Sequence, residues 1–382
     1  MNQLAPLPTE TRDALAYVSS ESASSATLPP VCYSDSGIFD YEVENLFRRG
    51  WVSIGRADSC PAAGDFKVFQ IGTISVLLIR NQSGQLKSFA NTCRHRGSTL
   101  LEGHGSCKRI RCPFHSWTYD LDGELTFAPR MKHAGELDAK YYGLVEFSLT
   151  EQEGFVFINP EKNCDASDWF KDFSIIHAPW QLSEWETTRN REFVVNCNWK
   201  AFIEVFNEYY HLPYVHPSSI GGFYPEPDAP NSVDGCFTTQ FGDITANASL
   251  LSEHQSQALP AAKCLTGRNA QGIRYTWVYP NVTFAAAADC LWIYSAYPIS
   301  ATKTHIMQTV CFPPGSLERE DFAELSEHYY ERIDLAVQED LPFLYSQQTG
   351  LSSPYARPGR FSELEPSVAN FAHWYANNMQ AD

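Results

Sequence analysis

The segment Cys93-Arg94-His95 and, after sixteen intervening residues, the segment Cys112-Pro113-Phe114-His115 hold two thiols and two imidazoles. Thiolate sulfur and imidazole nitrogen are metal ligands, and zinc accepts two of each, but it usually pairs Cys with Cys and His with His. Here each short segment offers one Cys and one His. That suits a [2Fe–2S] cluster in which one iron takes both thiolates and the other both imidazoles, the neutral histidines raising the reduction potential. Structural zinc is the alternative. Cys107 and His104 lie between the two pairs, fit no ligand position and read as ordinary loop residues.

A second group lies in NWKAFIEVFNEYYHLPYVHPSS, which contains Glu204, Glu208, His211 and His216. On an ideal helix, histidines five residues apart point about 140° away from each other. Pro213 disfavours helical geometry at Leu212 and breaks the helix between them, which lets His216 swing back. Two imidazoles and one carboxylate leave positions open on Fe(II) for O2. A structural histidine pair is the competing reading of this segment taken alone.

Both groups need a scaffold. From Trp51 to Pro160 short β-runs alternate with turn residues: Phe66–Ile71, Ile74–Ile79 and Leu86–Phe89 around Gly72-Thr73 and Ser83-Gly84, then Thr118–Asp120 and Leu125–Phe127 around Asp122-Gly123, with Gly154–Ile158 closing. A small all-β domain with metal-capable loops is expected. Before it, Ser19–Pro30 reads as a mobile linker after a short N-terminal helix, and Tyr41–Arg48 as another short helix. Beyond Asp165, strands are expected at Phe193–Cys197, Arg274–Tyr279, Thr283–Ala286, Leu291–Tyr297 and His305–Phe312. Helices are expected around Trp199–Tyr210 and from Glu318 to about Tyr345. The expected class is α+β, an antiparallel sheet wrapped by helices.

The chain has 382 residues, enough for two or three domains, and with 43% hydrophobic and 19% charged residues it can bury a core. Its net charge of −17 argues against a nucleic-acid or anionic-membrane partner and permits a cationic substrate. No run matches a membrane span, since Val282–Tyr297 is too short and interrupted by Asp289. Glu10, Arg12 and Asp13 stand where a signal peptide needs its apolar core. With eleven cysteines, an odd number at low density, a reduced cytoplasmic protein is expected.

With SWTYDLDGEL downstream of the first group, the chain resembles the oxygenase (alpha) subunit of Rieske non-haem iron oxygenases from about residue 35 to 350. Cys93, His95, Cys112 and His115 match that family's cluster ligands one for one. The resemblance implies domains at 1–34 (N-terminal helix and linker), 35–164 (Rieske [2Fe–2S]) and 165–382 (catalytic, helix-grip-like). It also implies that His211 and His216 hold mononuclear Fe(II) together with an Asp on a later helix. Asp340, followed by Gln348-Thr349-Gly350, looks like the match, and Glu339 and Asp334 are the runners-up, each read as part of a solvated helix face. Glu208 occupies the position of the family's bridging acid, which links a cluster histidine of one subunit to an iron histidine of the next. Glu rather than Asp there resembles the carnitine and glycine betaine branch. The family's common Glu-Asn pair is Glu204-Val205 here, so a role for that Asn does not carry over, with Asn207 the conceivable substitute. The resemblance further implies O2, NAD(P)H delivered through a flavin/[2Fe–2S] reductase, and a head-to-tail homotrimer.

For the substrate, Tyr210, Trp277, Tyr279, Trp292 and Tyr294 are candidate pocket rings, with Phe202, Phe206, Phe223 and Tyr224 nearby in a region dense in aromatics. Such rings suit a trimethylammonium group through cation–π attraction. The leading expectation is a quaternary or methylated amine oxidised by N-demethylation or C–N cleavage. The alternatives are an aromatic-acid hydroxylase, for which Arg274 would be the carboxylate partner, and a Rieske electron carrier without oxygenase activity.

Overall fold

The computed structural model describes residues 7–131, 138–222 and 225–380. They fall into two compact units: residues 47–166, and residues 1–46 together with 167–382.

The first unit is built on three small sheets. Strands β1 (Val52–Arg56), β9 (Ser148–Gln152) and β10 (Phe155–Asn159) pair in the order β1-β10-β9. Strands β2 (Asp65–Ile71), β3 (Ile74–Arg80), β4 (Leu86–Ala90) and β5 (His104–Ser106) form the order β4-β3-β2-β5, and β6 (Ile110–Arg111), β7 (Thr118–Tyr119) and β8 (Leu125–Phe127) a third sheet. The expected hairpins form at their turn residues. At Gly123 (φ +83°) a Cβ would lie 2.6 Å from Phe89 Cε1, so glycine is required both by conformation and by space. Phe66, Leu77, Ile79, Phe89, Trp117 and Tyr119 make the core, and the same cluster takes in Cys93 and Cys112.

The second unit centres on a six-stranded antiparallel sheet, β11-β16-β15-β14-β13-β12. Its strands are β11 (Glu186–Val195), β12 (Phe237–Asp243), β13 (Gly272–Val278), β14 (Val282–Ala286), β15 (Leu291–Ser300) and β16 (Lys303–Phe312). The helices are α1 (Thr9–Leu15), α2 (Ser36–Glu42), α3 (Phe173–His177), α4 (Trp199–Phe206), α5 (Leu212–Val215), α6 (Phe322–Leu351) and α7 (Pro366–Gln380). The α+β expectation is met, although α7 was not anticipated. Phe322, Tyr329 and Tyr330 of α6 surround Phe312 of β16. Among the described residues no helix is long and apolar enough to cross a membrane.

The N-terminal stretch departs from the linker reading. Ser25 and Leu28 are buried, Ala26 bridges to Arg360, and Thr27 N–H donates to the Gly359 carbonyl. Small residues let this segment lie flat against the unit. Asp35–Leu46, expected with the Rieske domain, belongs to this second unit because of one buried hub. Glu42 accepts from Lys200 Nζ (2.5 Å), Trp199 Nε1 (2.9 Å) and Tyr375 Oη (2.6 Å), and both Glu42 and Lys200 are fully buried. Beside it, Tyr33 Oη donates to Glu204 (2.8 Å), and Gln348 joins the Tyr33 carbonyl to the Asn198 N–H.

Burial, opposed by Tyr33 and Lys200 and aided by Glu365 and Glu42, pushes the Glu204 carboxyl up to about 7. The native state therefore binds a proton that the unfolded chain releases above its ordinary value of 4.5, and stability falls as pH rises through that window. The expected loss is about 3 kcal/mol. Glu204→Gln should abolish this slope, which urea unfolding midpoints at about pH 5 and pH 8 will read.

Candidate metal centres and active site

In the first unit each metal-capable loop is a closed turn. Cys93 N–H donates to the Ser98 carbonyl and Gly97 N–H to the Cys93 carbonyl. In the same pattern Cys112 N–H donates to the Trp117 carbonyl and Ser116 N–H to the Cys112 carbonyl. The two turns bring the four residues together, with both thiols buried and both imidazoles half-buried. His95 and His115 lie edge to face at 4.7 Å, with His95 stacked on Trp117 at 4.9 Å. Tyr119 Oη accepts from Arg94 N–H (3.1 Å) and is thereby left to donate to Cys93 Sγ (3.3 Å).

The electrostatics fit a cluster. Burial opposes the Cys112 thiolate, but the N–H groups of Phe114 and His115 and the side chains of Cys93 and Ser98 outweigh it and hold the thiol below its ordinary value. Burial, then His115 and Arg96, hold His95 below the ordinary imidazole value, in the neutral form that ligates. His115 Nδ1 is buried with no hydrogen-bond partner among the described residues, as a metal-facing nitrogen must be.

In the second unit, α4 ends at Phe206. Asn207 closes it by donating to the Ile203 carbonyl and accepting from Thr283, a structural duty that accounts for it. The chain turns through Glu208 and restarts at α5, with Pro213 in its first turn and His211 and His216 at its two ends. This break gives the geometry that an unbroken helix denies. His216 Nε2 lies 3.0 Å and His211 Nε2 3.6 Å from Asp340 Oδ1, and the three donor atoms fall within 4.8 Å of one another. Asp340 Oδ1 is buried and makes no aligned hydrogen bond among the described residues. Three donors converging on a point, one of them an orphaned carboxylate oxygen, fit a divalent cation such as Fe(II).

A carboxylate stands behind each imidazole. Glu208 accepts from the His211 N–H (3.0 Å) and from its Nδ1. Glu339 Oε2 accepts from His216 Nδ1 (2.7 Å) and from Ser219 Oγ (2.6 Å). Such contacts fix the tautomer and aim Nε2 at the metal. Burial opposes a charged His216, but Asp340 and Glu339 outweigh it and hold its pKa above the ordinary value. Glu339 is therefore not part of a solvated face, and Asp334 is not either, being ion-paired to Arg189 (2.6 Å) and Arg191 (3.0 Å).

A cavity opens on these donors, lined by Phe202, Phe206, Tyr209, Tyr275, Trp292 and Tyr294 together with Glu208, Arg332 and Asp340. Of the expected pocket rings, Trp292 and Tyr294 take part. Trp277 and Tyr279 share their sheet face but stack on Phe371 (3.9 Å) and Trp374 (4.9 Å) of α7, and Tyr210 is half-exposed beside Tyr214. Phe223 and Tyr224 lie outside the described residues. Arg274 is not at the cavity. It donates to Asn231 and sits over Trp180 and Phe241, and burial pushes it down to about 10. Tyr275 and Arg332 are not among the residues expected at the site, and Glu339, the alternative to Asp340 as iron ligand, accepts from His216 Nδ1 instead. Arg332 is signalled only by its place two helical turns before Asp340.

One unit that gathers two thiols with two imidazoles, and another that converges two imidazoles with a carboxylate, define a two-centre iron oxidoreductase. A family model for the catalytic domain of ring hydroxylating alpha subunits matches residues 182–381, and one for the Rieske [2Fe-2S] domain matches residues 50–146. The chain belongs to the ring hydroxylating alpha-subunit family. It is 28% identical over 388 residues to the glycine betaine monooxygenase oxygenase subunit of Pseudomonas aeruginosa, covering 93% of this chain and 89% of that one. It is 26% identical over 367 residues to the carnitine monooxygenase oxygenase subunit of Acinetobacter pittii, covering 92% and 94%. Its fold matches that of the quaternary ammonium Rieske monooxygenase CntA in complex with L-carnitine, with a TM-score of 0.77 at 24% identity over 98% of this chain and 100% of that one. The protein is accordingly an oxidoreductase, the oxygenase subunit of a system that uses a Rieske cluster, mononuclear iron, O2 and electrons from a reductase partner to act on a small molecule.

Tyr119→Phe removes the donor to Cys93 and keeps the ring in the core. The variant should retain its cluster absorbance with a lowered reduction potential, because a hydrogen bond to sulfur stabilises the added electron. Potentiometric titration against wild type measures the difference.

Proposed function

We propose that this protein hydroxylates a C–H bond next to a quaternary or methylated nitrogen, leading to N-demethylation or C–N cleavage. The observation that carries the reading is the aromatic-walled cavity that opens on His211, His216 and Asp340. The resemblance to glycine betaine and carnitine monooxygenase subunits over more than nine-tenths of the chain supports it. Each ring face turned to a trimethylammonium group contributes roughly 0.5–2 kcal/mol. Hydroxylation at an N-methyl gives an N-hydroxymethyl ammonium, which loses a proton and breaks its C–N bond to release an aldehyde and the demethylated amine.

Cys93, His95, Cys112 and His115 would hold the [2Fe–2S] cluster, and His211, His216 and Asp340 the iron, whose chemistry is the activation of O2 by reductase-supplied electrons. Around it, Glu208 and Glu339 hold the imidazole tautomers, while Phe202, Phe206, Trp292 and Tyr294 keep water from the reacting C–H bond. Glu208 keeps acceptor capacity beyond His211, and we assign it to a cluster histidine of a neighbouring subunit, in a head-to-tail homotrimer working in the cytoplasm.

The test is a single turnover. Chemically reduced, iron-loaded protein is mixed with O2 and a panel of carnitine, γ-butyrobetaine, glycine betaine and simple aromatic acids, and products are read by mass spectrometry. Aldehyde and demethylated amine are the expected products, and ring-hydroxylated acid would overturn the reading. Glu208→Ala should keep both metals and lose at least about 100-fold in NADH-coupled turnover. Full coupled activity in that variant would remove the bridge assignment.

A further inference from the structure

Away from the two iron centres, one other group of metal-capable donors converges among the described residues. His254, on the short helical turn Ser252–Gln257, meets His328 and Glu331 of α6, and one ligating atom from each lies within 4.8 Å of the other two. None of the three lines the catalytic cavity. His328 and Glu331 stand three residues apart and so share one face of the helix. The chain around His254 is fixed against that face. Leu259 N–H donates to Tyr329 Oη (2.7 Å), which donates to Asp289 (2.6 Å), and Gln255 Nε2 donates to the carbonyls of Asn247 and Leu250. The backbone that carries the three donors is thus set before any ion arrives.

Hydrogen bonding leaves these donors ready. Gln257 Oε1 can only accept, so His254 Nδ1 carries the proton of the 2.8 Å bond between them. In the neutral ring Nε2 then presents a lone pair, and it lies 3.5 Å from Glu331 Oε2. Two acceptors facing each other call for a cation between them. A shared proton would draw the pair to ordinary hydrogen-bond distance, below about 3.2 Å. Two ligands bound at about 2.0–2.1 Å to one tetrahedral ion stand roughly 3.3 Å apart, which is close to the spacing found. His328 lies over His254, with ring centroids 3.8 Å apart and planes 21° apart. A metal must lie in the plane of each ring it joins, so binding takes His328 out of the stack by rotation of its own side chain. Both histidines are half-buried at the surface, with space for that turn. Two imidazoles and one carboxylate are donors that zinc accepts, with a fourth position left for water.

We propose that His254, His328 and Glu331 form a site for a divalent zinc-class metal ion, separate from both iron centres, which staples the turn Ser252–Gln257 to α6. Glu331 precedes Asp340 by nine residues on that helix, about 14 Å along its axis. The ion therefore braces the helix that carries Asp340 without touching the donors of the iron site. Gln257 stands behind His254 and fixes its tautomer, as carboxylates do at His211 and His216.

The experiment dialyses iron-loaded holoenzyme against a range of free zinc concentrations and measures zinc and iron in the same samples by elemental analysis. Zinc can also displace iron from His211, His216 and Asp340, so the iron content is the internal control. Wild type should take up one zinc per chain with its iron unchanged. X-ray absorption at the zinc edge should show only nitrogen and oxygen neighbours at about 2.0–2.1 Å, and the unfolding temperature should rise with zinc. His254→Ala and His328→Ala should each weaken uptake by at least about 100-fold and remove that rise, and Gln257→Ala should weaken uptake by about 10-fold. Iron content and the cluster spectrum identify a variant that has failed to fold, and the other histidine variant then decides. No uptake, uptake matched by loss of iron, or sulfur neighbours at the zinc edge overturns the site. Undiminished uptake in the folded histidine variants also overturns it and marks an adventitious ion only.

Discussion

The catalytic unit depends on an interrupted helix. Had α4 run on through residue 216, its two histidines would have pointed about 140° apart, and no single ion could have met both. Asn207 ends the helix, Glu208 occupies the turn, and Pro213 starts the next short helix, so that His211 and His216 close on Asp340 from the two ends of α5. Thr283 of the sheet donates to Asn207 on one side of this turn, and Glu339 of α6 accepts from His216 and Ser219 on the other. Glu208 and Glu339 hold the imidazoles from behind, one from the turn and one from the long helix.

This doubling of carboxylates explains why the acids of α6 are hard to tell apart beforehand. Asp334, Glu339 and Asp340 fall within seven positions, yet no two of them play the same part. Asp334 pairs with two arginines, Glu339 makes an outer hydrogen bond to an imidazole, and Asp340 turns an oxygen toward the metal site. Nothing in residue type separates these roles. They are set by what lies opposite, which is a property of packing.

The Cys and His donors could be read from the sequence because ligand chemistry restricts both residue type and spacing, and the β-texture of residues 51–160 followed from turn chemistry at Gly72, Gly84 and Gly123. The substrate wall could not be read to the same depth. Alternation along β13 and β15 puts Trp277, Trp292 and Tyr294 on one face, but which of them meets the cavity depends on where α7 covers the sheet. Arg274, the carboxylate partner expected only for an aromatic-acid substrate, sits over Trp180 and Phe241 away from the cavity, while Arg332 reaches the cavity from a helix. The N-terminal stretch misled for a related reason. Its small polar residues resemble a tether, and its anchors, the Ala26–Arg360 bridge and the nearby Glu42 hub, depend on partners more than 150 residues away.

That hub also dictates an order of assembly. Residues 47–166 form a unit from one continuous stretch, so they can close while the ribosome is still adding the rest. The first 46 residues, made earlier, have no such freedom. Glu42 waits for Trp199 and Lys200, and then for Tyr375 at a separation of 333 positions. A buried carboxylate without its donors is unstable, so the catalytic unit locks only after α7 has been made. The cluster-bearing unit thus has a period as an independent folded body, in which iron–sulfur loading can precede the formation of the iron pocket.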